Sequence, residues 1–220
     1  MSNTKTYQIA IDGPCGVGKS TIANFVANEL GFVYVNTGSM YRCYALALKQ
    51  NNIDINNIDL VMQTLNQNKV ELKGKEVFLN SNNVTEKLNN PEIAALASKI
   101  AIIKEVRKKC VADQQKNAAN INCVMEGRDT TSVILPNATL KVYLDADIKL
   151  RAKRRWKQYK QTEPYEVVLE KIKNRDYQDM NRKFSPLIKV KDAFEINDTG
   201  FTIEEIGNLI IKEFKGRINE

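Results

Sequence analysis

The chain has 220 residues, 43% of them hydrophobic, and no apolar run near the roughly 18 residues that a membrane span needs, so we expect a globular protein that binds no membrane. The absence of histidine excludes Ser-His-Asp triads and histidine-ligated metals, and four widely spaced cysteines without an N-terminal signal sequence predict a cytoplasmic protein. The net charge of +7 comes with lysines spread along the whole chain, which is typical of a solvated surface, so we expect no nucleic-acid partner.

Short apolar segments alternate with amphipathic ones along the chain. The pattern predicts strands at 7–11, 32–35, 121–125, 140–144 and 193–196, and a first helix at 19–30. Because helical segments separate these strands, we expect an α/β fold with a parallel five-stranded sheet flanked by helices.

The segment from about residue 51 to about residue 90 departs from this alternation. It is rich in asparagine and lysine and has weak strand patterns at 70–72 and 77–79. We expect a small β-containing insertion here. A long disordered loop is the alternative, since asparagine runs also occur in flexible segments.

A glycine-rich motif follows the first predicted strand. Residues 13–21, GPCGVGKST, match G-x-x-x-x-G-K-[ST] between a strand and a helix. In such a loop the backbone N–H groups surround phosphate oxygens, Lys19 bridges the β- and γ-phosphates, and the Ser20 hydroxyl coordinates Mg²⁺. The motif predicts a nucleoside triphosphate site, taken here as the ATP site, formed by Gly13, Pro14, Cys15, Gly16, Val17, Gly18, Lys19, Ser20 and Thr21, with Mg²⁺ as the cofactor.

The motif alone does not separate a kinase from an ATPase or a GTPase. A GTPase needs an Asn-Lys-x-Asp tetrad after a later strand to bind guanine, and the nearest sequence is NKVE at 68–71, inside the predicted insertion. The length of the chain and the absence of repeats favour a small-molecule phosphotransferase.

Polar residues follow two of the predicted strands. Residues 36–42, NTGSMYR, place Thr37 or Ser39 as a helix cap and Arg42 one turn into the helix, where it can reach an acceptor phosphate. A cap followed by a surface arginine is the alternative. Residues 126–129, EGRD, follow the third strand directly, and ligands bind at the carboxyl ends of parallel strands.

Three charged residues recur at helical spacing late in the chain. Arg175, Asp179 and Arg182 are spaced i, i+4 and i+7, which predicts that all three lie on one face of a helix that ends before Pro186. A solvated ion-pair face would have the same spacing.

The run RAKRRW at 151–156 opens a very basic helix after the fourth strand. It is too short, and too poor in aromatic residues, for a nucleic-acid patch. We interpret it as an arginine lid over the ATP phosphates, with Arg154 and Arg155 as further ATP-binding residues. A plain solvated basic helix is the alternative.

These motifs occur in one order, from IDGP at 11–14 to PL at 186–187. In that order, over nearly the whole chain, the sequence resembles the bacterial-type cytidylate kinases of the nucleoside monophosphate kinase family. The resemblance implies a P-loop NTPase-type α/β fold with a monophosphate-binding insertion and a helical lid. It implies a core formed by residues 1–36, 104–150 and 183–220, a CMP-binding domain at 37–103, and lid and clamp helices at 151–182.

The resemblance also implies roles for single residues. Arginines hold the acceptor phosphate, Ser98 and Arg107 bind the cytosine edge, and Asp179 contacts the sugar hydroxyls. The residues implied to bind CMP are Thr37, Arg42, Ser98, Arg107, Arg128, Asp129, Arg175, Asp179 and Arg182. The residues implied to take part in the transfer are Lys19, Arg128, Asp129, Arg154 and Arg182.

The sequence departs from the family pattern in the phosphate loop, where Cys15 stands in place of the usual alanine or serine, and beside Arg128. The family continues Gly-Arg-Asp with a bulky apolar residue and glycine, whereas Thr130, Thr131 and Ser132 follow here. Ser98 and Arg107 are nine residues apart, which puts them on opposite faces of one straight helix. Both contact one base only if the helix breaks near 101–104, where no proline or glycine forces a break.

The implied reaction is direct in-line transfer of the γ-phosphoryl group of ATP to CMP or dCMP. Positioning and charge neutralisation carry such a reaction, and it needs no general base because the acceptor phosphate is already anionic near pH 7. The implied partners are therefore small-molecule nucleotides, and we expect a monomer because no exposed apolar stripe is evident.

Three alternatives remain open on the sequence. The acceptor can be UMP, AMP, shikimate or dephospho-coenzyme A, although these account less directly for the segment containing Arg175, Asp179 and Arg182. A basic nucleic-acid-binding ATPase would show ATP hydrolysis stimulated by nucleic acid. A catalytically idle nucleotide-binding module is the third, against which the intact Lys19 and Ser20 argue.

Overall fold

A computed structural model describes residues 6–219 of the chain. The strands are β1 (Gln8–Asp12), β2 (Val33–Asn36), β3 (Val70–Lys73), β4 (Glu76–Leu79), β5 (Asn82–Asn83), β6 (Cys123–Gly127), β7 (Leu140–Asp145) and β8 (Phe194–Asn197). The α-helices are α1 (Lys19–Leu30), α2 (Thr37–Gln50), α3 (Ile58–Gln67), α4 (Pro91–Ile100), α5 (Lys104–Ala118), α6 (Ile148–Gln158), α7 (Tyr165–Asn181) and α8 (Ile203–Asn219).

Five strands form a parallel sheet in the order β2–β6–β1–β7–β8. In the register of the central strand, Ile9 lies between Val124 of β6 and Leu140 of β7. All three side chains are fully buried, as expected for a parallel sheet that is covered on both faces. The predicted α/β fold with a parallel five-stranded sheet flanked by helices is confirmed, and each predicted strand lies within two residues of an observed one.

The chain divides into two compact units. The first contains the described residues up to Phe32 and from Asn120 onward, and the second contains Val33–Ala119. In the first unit α8 packs on α1, and the ring of Phe25 lies directly on Gly207 of α8. Among residues 6–219 no helix is long and apolar enough to cross a membrane.

The second unit has its own core and its own small sheet. Strands β3, β4 and β5 form an antiparallel sheet, and α2 packs on α4. Val77, Leu79, Val84 and Leu88, from the segment where strand patterns are weak, are all buried in this core. The insertion is therefore β-containing, and the alternative of a long disordered loop is wrong, because its apolar residues pack against α2 and its neighbours.

Candidate active site

The glycine-rich loop joins the end of β1 to the start of α1. At Gly13 an added Cβ would lie 2.2 Å from the carbonyl oxygen of Leu144, so only glycine lets the loop pass this close to β7. Gly18 caps α1 with a φ of 95°, a left-handed conformation that glycine adopts without strain. The loop thereby ends at the N-terminus of a helix, where free N–H groups and the helix dipole favour an anion.

Lys19 is buried at the first position of α1. Its ammonium donates to the carbonyl oxygens of Gly13 and Pro14, each at 2.8 Å. Burial, together with the nearby guanidinium of Arg128, lowers the pKa of Lys19 to about 7. The lysine is thus held against the loop by backbone oxygens, and a phosphate placed on the loop would favour its charged form.

Ser20 and Glu126 place a hydroxyl and a carboxylate together beside the loop. Ser20 Oγ donates to Glu126 Oε1 at 2.7 Å, and Glu126 lies near the carboxyl end of β6, paired with Ile11 of β1. Hard oxygen ligands of this kind suit Mg²⁺. Ser20 alone was predicted as the metal ligand. Glu126 could have been found from its place at the end of the strand that lies beside the phosphate-loop strand.

Asp12 anchors the turn that follows β6. Its carboxylate is fully buried and accepts from the Thr130 N–H at 3.0 Å, the Thr131 N–H at 2.7 Å and the Thr131 hydroxyl at 2.6 Å. Burial raises the pKa of Asp12 above its ordinary value. Leu135 N–H donates to Thr130 O at 2.8 Å, which closes a π-helical turn. The threonine that stands where the family has glycine therefore adds a hydrogen bond to this carboxylate.

Three guanidinium groups surround the carboxylate of Asp179. Arg128 Nε and Arg175 Nε each lie 3.0 Å from Asp179 Oδ2, and Arg182 Nη1 lies 3.3 Å from Oδ1. Arg182 Nη2 also lies 3.5 Å from Asp129 Oδ1. Burial alone would raise the pKa of Asp179, but the three arginines hold it below its ordinary value. The cluster carries one more positive than negative charge, which suits an anionic ligand.

The prediction that Arg182 lies on the same helix as Arg175 and Asp179 is wrong. The helix α7 ends at Asn181, and Arg182 has an extended backbone. The chain reverses there because Leu187, a buried residue, donates its N–H to Asp179 O at 2.8 Å. The arginine still meets Asp179 from beyond the helix end. Since Asp179 is only 4% exposed, the alternative of a solvated ion-pair face is wrong as well.

The arginines of the basic helix α6 bind different partners, and the prediction that Arg154 and Arg155 bind ATP stays a prediction. Arg154 Nη1 binds Asp198 Oδ2 at 2.5 Å, and Arg155 binds Gln158 Oε1 at 3.0 Å. Arg151, in the first turn of the same helix, is the residue that contacts the phosphate loop, because its Nη1 donates to Cys15 O at 2.9 Å. The run of cationic residues gave no indication of which arginine would do so.

The helix break that Ser98 and Arg107 require is present. Helix α4 ends at Ile100 and α5 begins at Lys104. Arg107 Nε donates to Ala101 O at 2.9 Å, inside the break, and its guanidinium lies 5.3 Å from the centre of the Tyr41 ring. A buried arginine side chain therefore satisfies the backbone at the break, in place of the proline or glycine that the sequence lacks.

Thr37 and Arg42 lie on α2 in the second unit. Thr37 is buried at the first position of the helix, and its carbonyl oxygen accepts from Gln114 Nε2 at 3.3 Å. Asn36 caps the helix by accepting from the Ser39 N–H at 3.1 Å, so neither of the two caps named from the sequence is the cap. Arg42 is half-buried.

Comparison with known proteins identifies the family. The family model described as cytidylate kinase matches residues 9–216. The chain belongs to the cytidylate kinase family. A cytidylate kinase from Caldicellulosiruptor bescii is 40% identical over 218 residues, which cover 96% of each chain. One from Oceanobacillus iheyensis is 41% identical over 212 residues, covering 93% of this chain and 92% of its own.

Solved structures agree with the fold. An uncharacterized protein from Eubacterium ventriosum superposes with a TM-score of 0.54 at 14% identity, covering 96% of this chain and 99% of its own. A shikimate kinase from Acinetobacter baumannii superposes with a TM-score of 0.51 at 12% identity, covering 96% of this chain and 94% of its own. At such identities the likeness shows the fold alone. Together with the family, it confirms the prediction of a P-loop kinase of the cytidylate kinase type.

Proposed function

We propose that this member of the cytidylate kinase family transfers the γ-phosphoryl group of ATP to CMP or dCMP, giving ADP and CDP or dCDP. The observation that carries the proposal for this chain is the buried arginine cluster around Asp179, in the same compact unit as the phosphate loop. The phosphate loop suits a nucleoside triphosphate, and the arginine cluster suits a monoanionic or dianionic phosphate. A kinase of nucleoside monophosphates requires both.

The donor is assigned to the loop. ATP binds residues 13–21, with Lys19 on its β- and γ-phosphates and with Arg154 and Arg155 closing from α6 after leaving their present partners. Ser20 would hold Mg²⁺ through its hydroxyl, and the carboxylate of Glu126, which now accepts from that hydroxyl, would support the ion from beside it. When bound, Mg²⁺ neutralises charge on the transferring phosphates.

The acceptor is assigned to two groups of residues. In the first unit, Arg128, Arg175 and Arg182 bind the CMP phosphate, while Asp129 and Asp179 orient these arginines, and Asp179 contacts the sugar hydroxyls. In the second unit, the residues assigned to CMP are Thr37, Arg42, Ser98 and Arg107. The helix break supports the assignment of Ser98 and Arg107, because the two residues lie on separate helices and are no longer on opposite faces of one straight helix.

The chemistry follows from this placement of charge. An acceptor phosphate oxygen attacks the γ-phosphorus in line, the bond to the β-phosphate oxygen breaks, and ADP leaves. Lys19 and Arg182 offset the negative charge that gathers at the transferring group. No residue must remove a proton, which agrees with a chain that contains no histidine.

The setting of the reaction is also a proposal. We assign residues 1–36, 104–150 and 183–220 to the core, 37–103 to CMP binding and 151–182 to the lid and clamp helices; of the residues assigned to the core, 33–36 and 104–119 belong to the second compact unit. We place the protein in the cytoplasm as a monomer. The free state of Cys15, Cys43, Cys110 and Cys123 supports a reducing compartment.

The experiment that tests the function measures ADP release from Mg·ATP with CMP, dCMP, UMP, AMP, GMP and shikimate in turn. We expect a large rate with CMP or dCMP over a small background without acceptor. A preference for another acceptor would move the assignment to a different kinase. Stimulation by RNA or DNA alone would favour a nucleic-acid-binding ATPase and overturn the acceptor assignment.

The variant Arg182→Lys tests the acceptor site. The planar guanidinium of Arg182 donates to Ser185 O at 2.5 Å and also contacts Asp179 and Asp129. The ammonium of lysine cannot make these three contacts together. We expect turnover with CMP to fall by about tenfold or more while the affinity for ATP is kept. The exposed neighbour Lys183 gives a matched control, Lys183→Ala, with turnover as in the wild type. Unchanged turnover in Arg182→Lys would contradict the assignment.

A further inference from the structure

The backbone of Cys15, in the middle of the phosphate loop, is held by charged side chains from two later helices. Its N–H donates to Asp176 Oδ1 of α7 at 2.8 Å, and its carbonyl oxygen accepts from Arg151 Nη1 of α6 at 2.9 Å. Arg151 Nη1 and Asp176 Oδ2 also lie 2.5 Å apart. Three charge-assisted hydrogen bonds therefore form a ring through one residue of the loop.

The partners of Cys15 are themselves fixed. The side chains of Arg151 and Asp176 are only 7% and 9% exposed, and Arg151 Nε donates to Ala146 O at 3.0 Å. A Cβ added to Gly16 would lie 3.1 Å from Arg151 O, so the loop lies directly on the first turn of α6. A buried ion pair is costly to desolvate and therefore contributes little to stability by itself. A role in positioning the loop would account for its presence here.

Helix α7 contacts both the phosphate loop and the arginine cluster. Arg175 and Asp179 on α7 belong to the arginine cluster, whereas Asp176 contacts the loop. Successive residues on a helix differ by about 100° in direction, so one helix presents neighbouring side chains to two different parts of the site. Through Asp176, the position of the loop is tied to the helix that holds the acceptor arginine.

We propose that Arg151 and Asp176 are positioning residues for the ATP site. They hold the backbone of Cys15 so that the N–H groups that follow it in the loop stay directed at the phosphates of ATP. Neither side chain contacts the nucleotide in this scheme. The proposal rests on the proposed ATP site and adds a pair of residues that the loop motif does not contain.

Two conservative variants test the pair. Asp176→Asn keeps an oxygen for the Cys15 N–H but removes the charge that binds Arg151. Arg151→Lys keeps the charge but cannot contact Ala146, Cys15 and Asp176 together. In each variant we expect the KM for ATP, and the Kd for ATP measured by calorimetry without acceptor, to rise by about tenfold or more. The KM for CMP should change by less than about threefold.

A matched control removes a different ion pair from the same helix. Lys171 of α7 binds Glu163 at 2.5 Å on the surface, away from the loop backbone, so Lys171→Gln should leave both KM values unchanged. The double variant of Arg151→Lys and Asp176→Asn should weaken ATP binding by less than the product of the two single effects, since both act on one ring.

The outcomes separate a positioning role from a structural one. ATP binding within about twofold of the wild type in either folded variant would overturn the proposal. So would an equal rise in both KM values together with a loss of thermal stability. If Asp176→Asn does not fold, Arg151→Lys answers the same question. Because ATP binding is measured without acceptor, a wild type that fails to phosphorylate CMP would contradict the proposed function and not this inference.

Discussion

Two neighbouring threonines in the turn after β6 differ in what their hydroxyls contact. Thr131 Oγ1 donates to the buried carboxylate of Asp12 at 2.6 Å, whereas Thr130 Oγ1 is buried without a hydrogen-bond partner among the described residues. Thr131→Val keeps the shape and removes a hydrogen bond to a buried charge. We expect the free energy of unfolding, measured by urea denaturation, to fall by about 1.5–3 kcal/mol.

Thr130→Val supplies the matched control at the next position. Valine replaces a buried hydroxyl that makes no hydrogen bond among the described residues. The free energy of unfolding should therefore stay the same or rise by about 1 kcal/mol. The residue that the family prefers at this position is also apolar. Equal losses in the two variants would show that the turn is sensitive to any change in packing, and not to the hydrogen bond with Asp12.

At the scale of elements, α8 contains two glycines in opposite surroundings. A Cβ at Gly207 would lie 2.2 Å from Cδ1 and 2.5 Å from Cε1 of the Phe25 ring on α1. Alanine favours a helix over glycine by about 1 kcal/mol, but this contact would force the two helices or the ring apart. We expect Gly207→Ala to lower the free energy of unfolding by about 1–3 kcal/mol, as measured by thermal or urea denaturation.

The exposed Gly216 of the same helix tests the helix propensity of alanine over glycine without a steric contact. A Cβ there meets nothing within 4 Å, so Gly216→Ala should raise the free energy of unfolding by about 0.5–1 kcal/mol. Adding Phe25→Leu to Gly207→Ala should recover part of the lost stability by making room. A Gly207→Ala protein that is as stable as Gly216→Ala would show that Phe25 moves aside at no cost.

The sequence predicts the parts of the molecule that depend on local patterns. The phosphate loop follows from nine consecutive residues, helix α1 follows from its amphipathic pattern, and the sheet follows from short apolar runs. Contacts between residues far apart in the chain were harder to predict: the Cys15 N–H binds Asp176, and no local pattern around either residue indicates this contact. The end of α7 before Arg182 was also missed, because the turn after it is stabilised by a hydrogen bond from the Leu187 N–H to Asp179 O, a pairing that helical spacing does not indicate.

At the scale of the whole molecule, the lack of histidine makes the pH dependence near neutrality simple to interpret. The chain contains no imidazole, and burial lowers the pKa of Lys19 to about 7 in the protein without nucleotide. Above that pH the free protein loses the proton, while the phosphates of ATP favour the charged lysine. Binding must then take up a proton, so ATP affinity falls as the pH rises.

We therefore expect the Kd for ATP, measured by calorimetry, to rise by up to about tenfold per pH unit above about pH 7. Proton uptake on binding should appear as a dependence of the measured enthalpy on the buffer. Lys19→Met binds ATP more weakly but keeps any titration of ATP itself, so its Kd should be flatter over the same range. An equal pH slope in Lys19→Met and the wild type would show that Lys19 stays protonated throughout.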